Sequence, residues 1–488
     1  LMKMIQAAAS PLVDVKESSA AADFAAQCVC FARPCDELVE ELEDTCRRVS
    51  VVKPCGTEIG EVLYLLREDE DSANLFICNT GTVDIDIKAN PLARDLTAEF
   101  PEVTVKLSTP VRGTVIELNP ETGAMALADA RFEDGAYVIN TSLPRLGSRL
   151  FSVVPDVFAA KVEPAEKYTE TKVVPLADSS YPIELTEANV LPLDRPEYRI
   201  NGGELNASNY IIFVDSAVRD VIEAKKRGGQ MYQPWTGRNK TTDQIADVEL
   251  KYVFEAEYLP SGNLKLGIEN PQLYQEIAVN GVKIPVDSGD GWWCDKSLIT
   301  LPLNPACLKE GTNEIILKCR YDGNNPGLEC IYLLGDFGTE VKGLELKITA
   351  PTTGLSIGDW GTQGLTFYSG AVKYCSECDV TVNDGERCII RIPEFRAPCI
   401  RILVNGADAG NVAWAPFELD ITDHVQPGAN RIAIEVFGSR RNSHGPLYQN
   451  APWPAWTGPG EYLQYTGKYS LVPCGLMAQP EIVIKKQI

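Results

Sequence analysis

The chain is 488 residues long and sets 45 lysines and arginines against 68 aspartates and glutamates, a formal net charge of −23. A field of that sign repels phosphate backbones and anionic membrane surfaces, and no basic tract of five or more residues offsets it, so nucleic acid and membrane are excluded as partners. With 44% apolar residues, 38 glycines and 32 prolines it is a folded, turn-rich chain, long enough for three or four units because single cores stop growing near ~250 residues.

Residues 1–50 are alanine-rich and read as a short α segment: within Asp36–Arg48 the side chains Leu38, Val39 and Leu42 share one stripe, with acids first and arginines last. The opening LMKMIQAAASPLVDV lacks a basic stretch followed by an apolar run and a cleavage site, which predicts a cytoplasmic protein. Fifteen cysteines, scattered rather than dense, fit a reducing compartment. Because the pattern begins abruptly, Leu1 is not expected to be the natural start, and a signal upstream of it would not be visible.

After the turn at Pro54-Cys55-Gly56 the chain becomes β. Residues 51–155 contain EVLYLLRE, ANLFICNTG, VTVKLS, TVIELNPETGAMALADARF and GAYVINTSL, runs of strand length separated by turn residues, which predict a β-sandwich. Residues 156–200 are polar and carry prolines, the pattern of a linker or of edge strands. Residues 201–350 and 355–480 then read as two copies of one unit, without helical periods. EIAVNGVKIPV followed by LKEGTNEIILKCRY in the first copy answers to IRILVNGADAG followed by VQPGANRIAIEVFGS in the second. Asn280-Gly281 and Asn405-Gly406 suit the positive φ angles of a tight hairpin, and Gly311-Thr-Asn313 and Gly428-Ala-Asn430 turn the chain into the last long strand. The pattern predicts antiparallel jelly rolls.

At these residues the sequence resembles the galactose-binding-like jelly roll that is the sugar-binding domain of glycoside hydrolase family 2 and its large relatives. The segments ELKYVFEAEY, LGIENPQLYQEIAVNG, GWWCDKSL, ECIYLLGDFG and GDWGTQGLTFYSGAVKY resemble the C-terminal region of family 106-type α-L-rhamnosidases over residues 200–480, and EVLYLLRE with ANLFICNTG extends the likeness to about residue 50. In such enzymes the catalytic acid and base lie on a preceding (β/α)₈ barrel. No eight-fold strand–helix alternation occurs here. The resemblance therefore implies that this chain lacks the barrel, that residues 1–50 are the tail of an upstream α/β segment, and that no catalytic residue carries over.

Candidate sugar contacts follow from residue type and placement. Trp453 and Trp456, in the proline-locked PWPAWTGPGEY, either stack on sugar rings or plug the open end of the sandwich. Arg440, Asn442 and His444, in RRNSHG at a strand end, can donate to and accept from hydroxyls, or Asn442 and Ser443 make a local turn that His444 caps. Trp414 either binds ligand or covers the core. Tyr368 either packs or, alternating with an inward Phe367, points outward as a further contact. Of the adjacent Trp292 and Trp293 at most one faces the core, and the other is exposed or meets a neighbouring domain, an interdomain contact being the expected case. Cys375 and Cys378 have the spacing of half a zinc site without a second half, so no metal centre is expected. Loop aspartates are compatible with a structural calcium ion, and no other cofactor is called for.

The expectation is thus a mainly β, multidomain chain of antiparallel sandwiches with two galactose-binding-like jelly rolls and a short N-terminal α segment. Its function is read as the non-catalytic carbohydrate-recognition and scaffolding portion of a bacterial glycoside hydrolase. Its partners are an oligosaccharide or glycoside, the upstream barrel of the same parent enzyme, and, compatibly, a second copy in a homo-oligomer. Two alternatives stand beside it: an α-L-rhamnosidase-like hydrolase in its own right, and a purely structural interdomain or oligomer scaffold.

Overall fold

The computed structural model describes residues 43, 46–81, 98–164, 166–176, 180–227, 242–445, 447–448 and 467–488. Glu43 and Cys46 are helical, Arg47 and Arg48 lead without regular structure into the first strand, and the remainder of the expected N-terminal α segment lies outside the described residues. The protein is mainly β. It divides into two compact units, Leu1–Asp84 with Leu96–Glu166, and Ile85–Asp95 with Lys167–Ile488.

The first unit is an antiparallel sandwich. Its strands are β1 (Val49–Val52), β2 (Val62–Glu68), β3 (Ala73–Asn79), β4 (Phe100–Leu107), β5 (Thr114–Leu118), β6 (Met125–Leu127), β7 (Ala130–Glu133), β8 (Ala136–Leu143) and β9 (Ser148–Val154). They form sheets in the orders β1-β4-β8-β7 and β2-β3-β9-β5-β6, with Val51, Leu75, Ile77, Val105, Ile139 and Phe151 in the core between them. Strand β3 shows how the period of two works: Ala73, Leu75, Ile77 and Asn79 face inward. Buried Asn79 is satisfied there, its amide donating to the carbonyls of Ala98 (2.7 Å) and Pro144 (2.9 Å) and its oxygen accepting from Gly81 N–H. A single-turn helix α1 (Asp156–Ala159) follows.

The second unit holds two further sandwiches. In one, a five-stranded sheet runs β12 (Asn189–Leu193), β21 (Ile331–Gly335), β15 (Lys265–Glu269), β19 (Asp295–Pro302), β18 (Gly291–Trp293). It faces β17 (Val282–Lys283), β16 (Tyr274–Val279), β20 (Gly311–Asp322), β14 (Ile245–Ala256), β23 (Glu345–Thr349) and β22 (Gly338–Lys342), with β13 (Glu197–Ile200) also paired to β14. In the other, β10 (Tyr168–Pro175), β33 (Glu481–Gln487), β26 (Glu386–Arg391) and β30 (Glu418–Asp420) make one sheet. Its partner runs β24 (Gly354–Ser356), β11 (Ser180–Leu185), β25 (Ala371–Val380), β31 (Gly428–Phe437), β28 (Ile400–Val404) and β29 (Ala407–Val412). A short ribbon pairs β27 (Phe395–Arg396) with β32 (Gly475–Leu476). Among the described residues the strands pair antiparallel except for β14 with β23, with isolated parallel bridges at Leu127–Pro164 and Thr339–Leu365. Residues 156–200 thus feed strands to both sandwiches: β10 and β11 to one, β12 and β13 to the other.

The repeat seen in sequence is a repeated hydrogen-bonded clasp. Asn280 and Asn405 sit at φ +48° and +52°, each followed by a positive-φ glycine, closing the two hairpins. Asn280 Nδ2 donates to Asn313 Oδ1 (2.7 Å), and Asn280 Oδ1 accepts from Glu314 N–H (3.0 Å). In the other copy Asn405 Nδ2 donates to Asn430 Oδ1 (2.9 Å) and its oxygen accepts from Arg431 N–H (3.0 Å). Asn313 and Asn430, both fully buried, in turn close the loops before β20 and β31. The Val-Asn-Gly and Gly-x-Asn motifs are therefore two halves of one device tying hairpin to last strand.

The helix α2 (Ile211–Val221) departs from the reading of 201–350 as free of helical periods. Ile211, Val214 and Val218 recur at helical spacing and bury in the core of the first of these two sandwiches. On its inner side the Asp215 carboxylate accepts from Arg219 Nε (2.9 Å), Arg227 Nε (3.0 Å), Tyr321 Oη (2.7 Å) and Leu328 N–H (2.9 Å). A buried charge with four donors, two of them cationic, is the condition under which such a group is tolerated. Among the described residues no helix is long and apolar enough to cross a membrane.

Candidate functional site

The seam between the two sandwiches of the second unit gathers several of the residues singled out in sequence. Strand β31 ends at Phe437, and a one-turn helix α3 (Arg441–His444) follows. Arg440 makes a two-pronged pair with Glu187, at 2.5 and 2.9 Å, and its guanidinium lies over the Trp293 ring at 5.4 Å. Asn442 is buried and wholly engaged: its amide donates to Val472 O (2.8 Å) and its oxygen accepts from Val472 N–H (2.9 Å). The His444 ring stacks on Trp293 (5.4 Å) and on Tyr332 (5.2 Å), although the residue as a whole is exposed. Burial of the ring first, then the Arg440 cation, push its pKa down to about 4, with Asp295 opposing, so the imidazole is neutral at pH 7.

Beside this cluster, and sharing Glu187 and Trp293 with it, opens a groove of about 740 Å³ over the five-stranded sheet. Its wall carries Trp292, 55% exposed, while Trp293 next to it is buried. The alternation of β18 produces this split: one ring joins the core and its neighbour must face the other way. Polar side chains flank the exposed ring. Lys265 Nζ lies 2.7 Å from Asp290, which also accepts from Thr300 Oγ1 at 2.6 Å. Asn263 Nδ2 donates to Asp336 at 3.1 Å. The hydrogen bond from Lys265, and then that from Thr300, hold the Asp290 carboxyl below the usual range, so it stays an acceptor with lone pairs to spare. An indole face with fixed donors and acceptors at its rim suits a ligand with an apolar face and hydroxyl edges.

The remaining expected contacts fall elsewhere. Tyr368 does not point outward: both Phe367 and Tyr368 are fully buried. Alternation holds, but the segment runs between two cores, so Phe367 enters one and Tyr368 the other. The Tyr368 hydroxyl is spent on Ala371 O (2.8 Å) and Thr186 N–H (3.1 Å). Trp414 is exposed in a turn closed by Phe417 N–H to Trp414 O (2.9 Å) and is not part of the groove lining. Trp453 and Trp456 lie outside the described residues. Among the described residues no three His, Cys, Asp or Glu side chains converge as a metal site, at Cys375 and Cys378 or elsewhere.

One carboxyl pair has a perturbed member. Burial, then Glu329 and Asp295, raise the pKa of Glu269. The cavity beside Glu269 and Glu329 measures about 10 Å³, room for one water at most, and Glu329 is ion-paired to Arg227. A pyranose does not fit between them, as two-carboxylate hydrolysis requires.

No protein-family model and no curated protein matches the sequence. Among solved structures the chain is similar to a rhamnosidase from Novosphingobium sp. PP1Y (TM-score 0.39, 12% identity), over 93% of this chain and 26% of that one. It is also similar to an anti-sigma factor domain-containing protein (TM-score 0.14, 10% identity; 52% and 91% of the two chains). A third likeness is to a β-porphyranase of glycoside hydrolase family 86 from the gut bacterium Bacteroides plebeius (TM-score 0.14, 9% identity; 59% and 37%). The chain thus spans about a quarter of the length of the rhamnosidase. None of the three TM-scores reaches 0.5, so the chemistry of the site, and not these likenesses, bears on function.

Proposed function

We propose that the chain is a non-catalytic carbohydrate-recognition and scaffolding portion of a glycoside hydrolase, and that its second unit binds a neutral oligosaccharide in the groove walled by Trp292. The observation that carries this reading is the half-exposed indole of Trp292 held beside the Lys265–Asp290 and Asn263–Asp336 pairs. Sugar rings present C–H faces to an aromatic plane and hydroxyls to its rim. Their neutrality is compatible with a chain of net charge −23. The resemblance of residues 200–480 to the C-terminal region of α-L-rhamnosidases supports the same class of ligand, and the boundaries read from sequence, with jelly rolls at 201–350 and 355–480, belong to the same proposal.

Calorimetric titration of the full chain with rhamnose-bearing and galactose-bearing oligosaccharides tests this. Trp292 is 55% exposed, and covering about 100 Å² of its ring is worth about 2.5 kcal/mol, or about 60-fold in Kd. Trp292→Ala should therefore weaken binding by that order while the protein stays folded. Unchanged affinity in Trp292→Ala, or heat with none of the sugars, would overturn the assignment of the groove. Release of phenol from an aryl rhamnoside would overturn its non-catalytic half.

A further inference from the structure

The tight turn from β18 into β19 places Cys294 at φ +51°, a left-handed conformation that a non-glycine residue adopts only when its surroundings enforce it. Its sulfur, partly exposed, lies 3.3 Å from His444 Nε2. The other ring nitrogen, Nδ1, lies 2.7 Å from Ser443 Oγ. Buried Ser443 is in turn 2.7 Å from Ser369 Oγ, which reaches Phe367 O at 3.0 Å. When the thiol donates to Nε2, Nδ1 carries the proton and donates to Ser443. The ring is clamped in this orientation by its stacks on Trp293 and Tyr332. A nucleophile, a base within reach of its proton, and a hydroxyl orienting that base form the arrangement that activates side-chain nucleophiles. Carbohydrate recognition makes no use of it.

We propose that Cys294 is a thiol nucleophile with His444 as its general base, and that its reaction partners are low-molecular-weight disulfides. The cysteine sulfur forms a bond to one sulfur of the disulfide, and the S–S bond of the reagent breaks. The thiol proton passes to His444 Nε2 and on to the departing thiolate. Cys294 is thereby oxidised to a mixed disulfide and the other half of the reagent is reduced to a thiol. The groups facing the pair leave Cys294 resting as a thiol and His444 as a neutral ring whose Nε2 lone pair is free, and the 3.3 Å contact is what places the proton within its reach. Burial raises the Cys294 pKa, with Arg440 lowering it and Glu187 and Asp295 raising it; His444 is held neutral by burial and Arg440.

The test is residue-resolved mass spectrometry of the full chain alkylated with iodoacetamide between pH 5 and 9, comparing wild type, His444→Gln and Ser443→Ala. Exposed Cys55, in the first unit, serves as the internal reference. General-base assistance predicts that His444→Gln slows Cys294 at least tenfold at pH 6 relative to Cys55 and leaves a rate that rises with hydroxide, as for an unassisted thiol. Ser443→Ala, which keeps the ring and its stacks, should slow it several-fold, and carries the test alone if His444→Gln does not fold. Exposure to glutathione disulfide should then give a mixed disulfide at Cys294 in wild type and markedly less in either variant. Equal labelling of Cys294 within twofold across wild type and variants, or no labelling in any, would overturn the proposal. Neither result touches the Trp292 groove, whose own test is sugar affinity.

Discussion

Replacing Asn430 by alanine tests whether the clasp, and not the hairpins alone, holds each sandwich of the second unit closed. The Asn430 oxygen accepts from Gln426 N–H (2.8 Å) and Asn405 Nδ2 (2.9 Å), and its amide donates to Gln426 O (2.7 Å) and Gly428 O (2.8 Å). Alanine strands two donors and two acceptors at once. Each stranded buried group costs about 1–3 kcal/mol, but Gln426 and Gly428 border solvent and can turn to water, so a net loss of about 3 kcal/mol is expected. All seven tryptophans lie within residues 167–488, so fluorescence-monitored urea unfolding reports the second unit without interference from the first. Asn430→Ala should lower the midpoint at nearly constant slope, and Asn313→Ala, which breaks the equivalent clasp, should do the same. A change below about 0.5 kcal/mol in both variants would refute the reasoning, since it would mean that water satisfies these groups as well as the asparagines do.

Two further outcomes follow from buried carboxylates. Asp215→Asn leaves the Arg219 and Arg227 cations facing an amide in place of a carboxylate and should destabilise the second unit by about 3–5 kcal/mol in the same assay; a loss under 1 kcal/mol would show that the cations escape to solvent. Asp194 is wholly buried and accepts from Tyr448 Oη and Tyr469 Oη, both at 2.8 Å; burial raises its pKa to about 6. A raised folded-state value means that its contribution is fully present below the unfolded value near 3.8 and is lost as pH climbs through about 6. Asp194→Asn should therefore remove a falling component of about 3 kcal/mol from the stability profile between pH 4 and 6, where the depressed His444 contributes a rising one, since its folded value near 4 lies below the ordinary 6.5 of histidine. Parallel wild-type and Asp194→Asn profiles would contradict the assignment.

The sequence alone was enough for features whose physics is local. Period-two alternation gave the sandwich strands, and Asn-Gly at two places gave the hairpins, because both depend on the preferences of a few consecutive residues. Even the clasp was legible as a repeat, although its meaning was not: Asn405 and Asn430 lie 25 residues apart and meet only once β28 pairs with β31. Helix α2 was missed although IIFVDSAVRDV carries the helical period; its apolar residues at spacings of three and four could have revealed it in an otherwise β region. Trp292 was noticed, but which of the two tryptophans turns outward was open and a domain contact was preferred to exposure, since period two says only that one of two adjacent tryptophans turns away from the core.

Tertiary structure decided where that ring opens. Its groove is lined from residue 183 to 353, and the polar rim of Asn263, Lys265, Asp290 and Asp336 assembles only when β15, β18, β19 and β21 join one sheet. Tyr368 went the same way: its local pattern permits an outward side chain, and only the presence of a second core on that side buries it. The Cys294–His444 contact spans 150 residues of chain. Strand and turn identities are set by short-range sterics and burial, which composition and spacing record. The sites arise from chain closures that run from tens of residues, as for Asn263 with Asp336, to 150, as for Cys294 with His444, whose geometry no local pattern encodes.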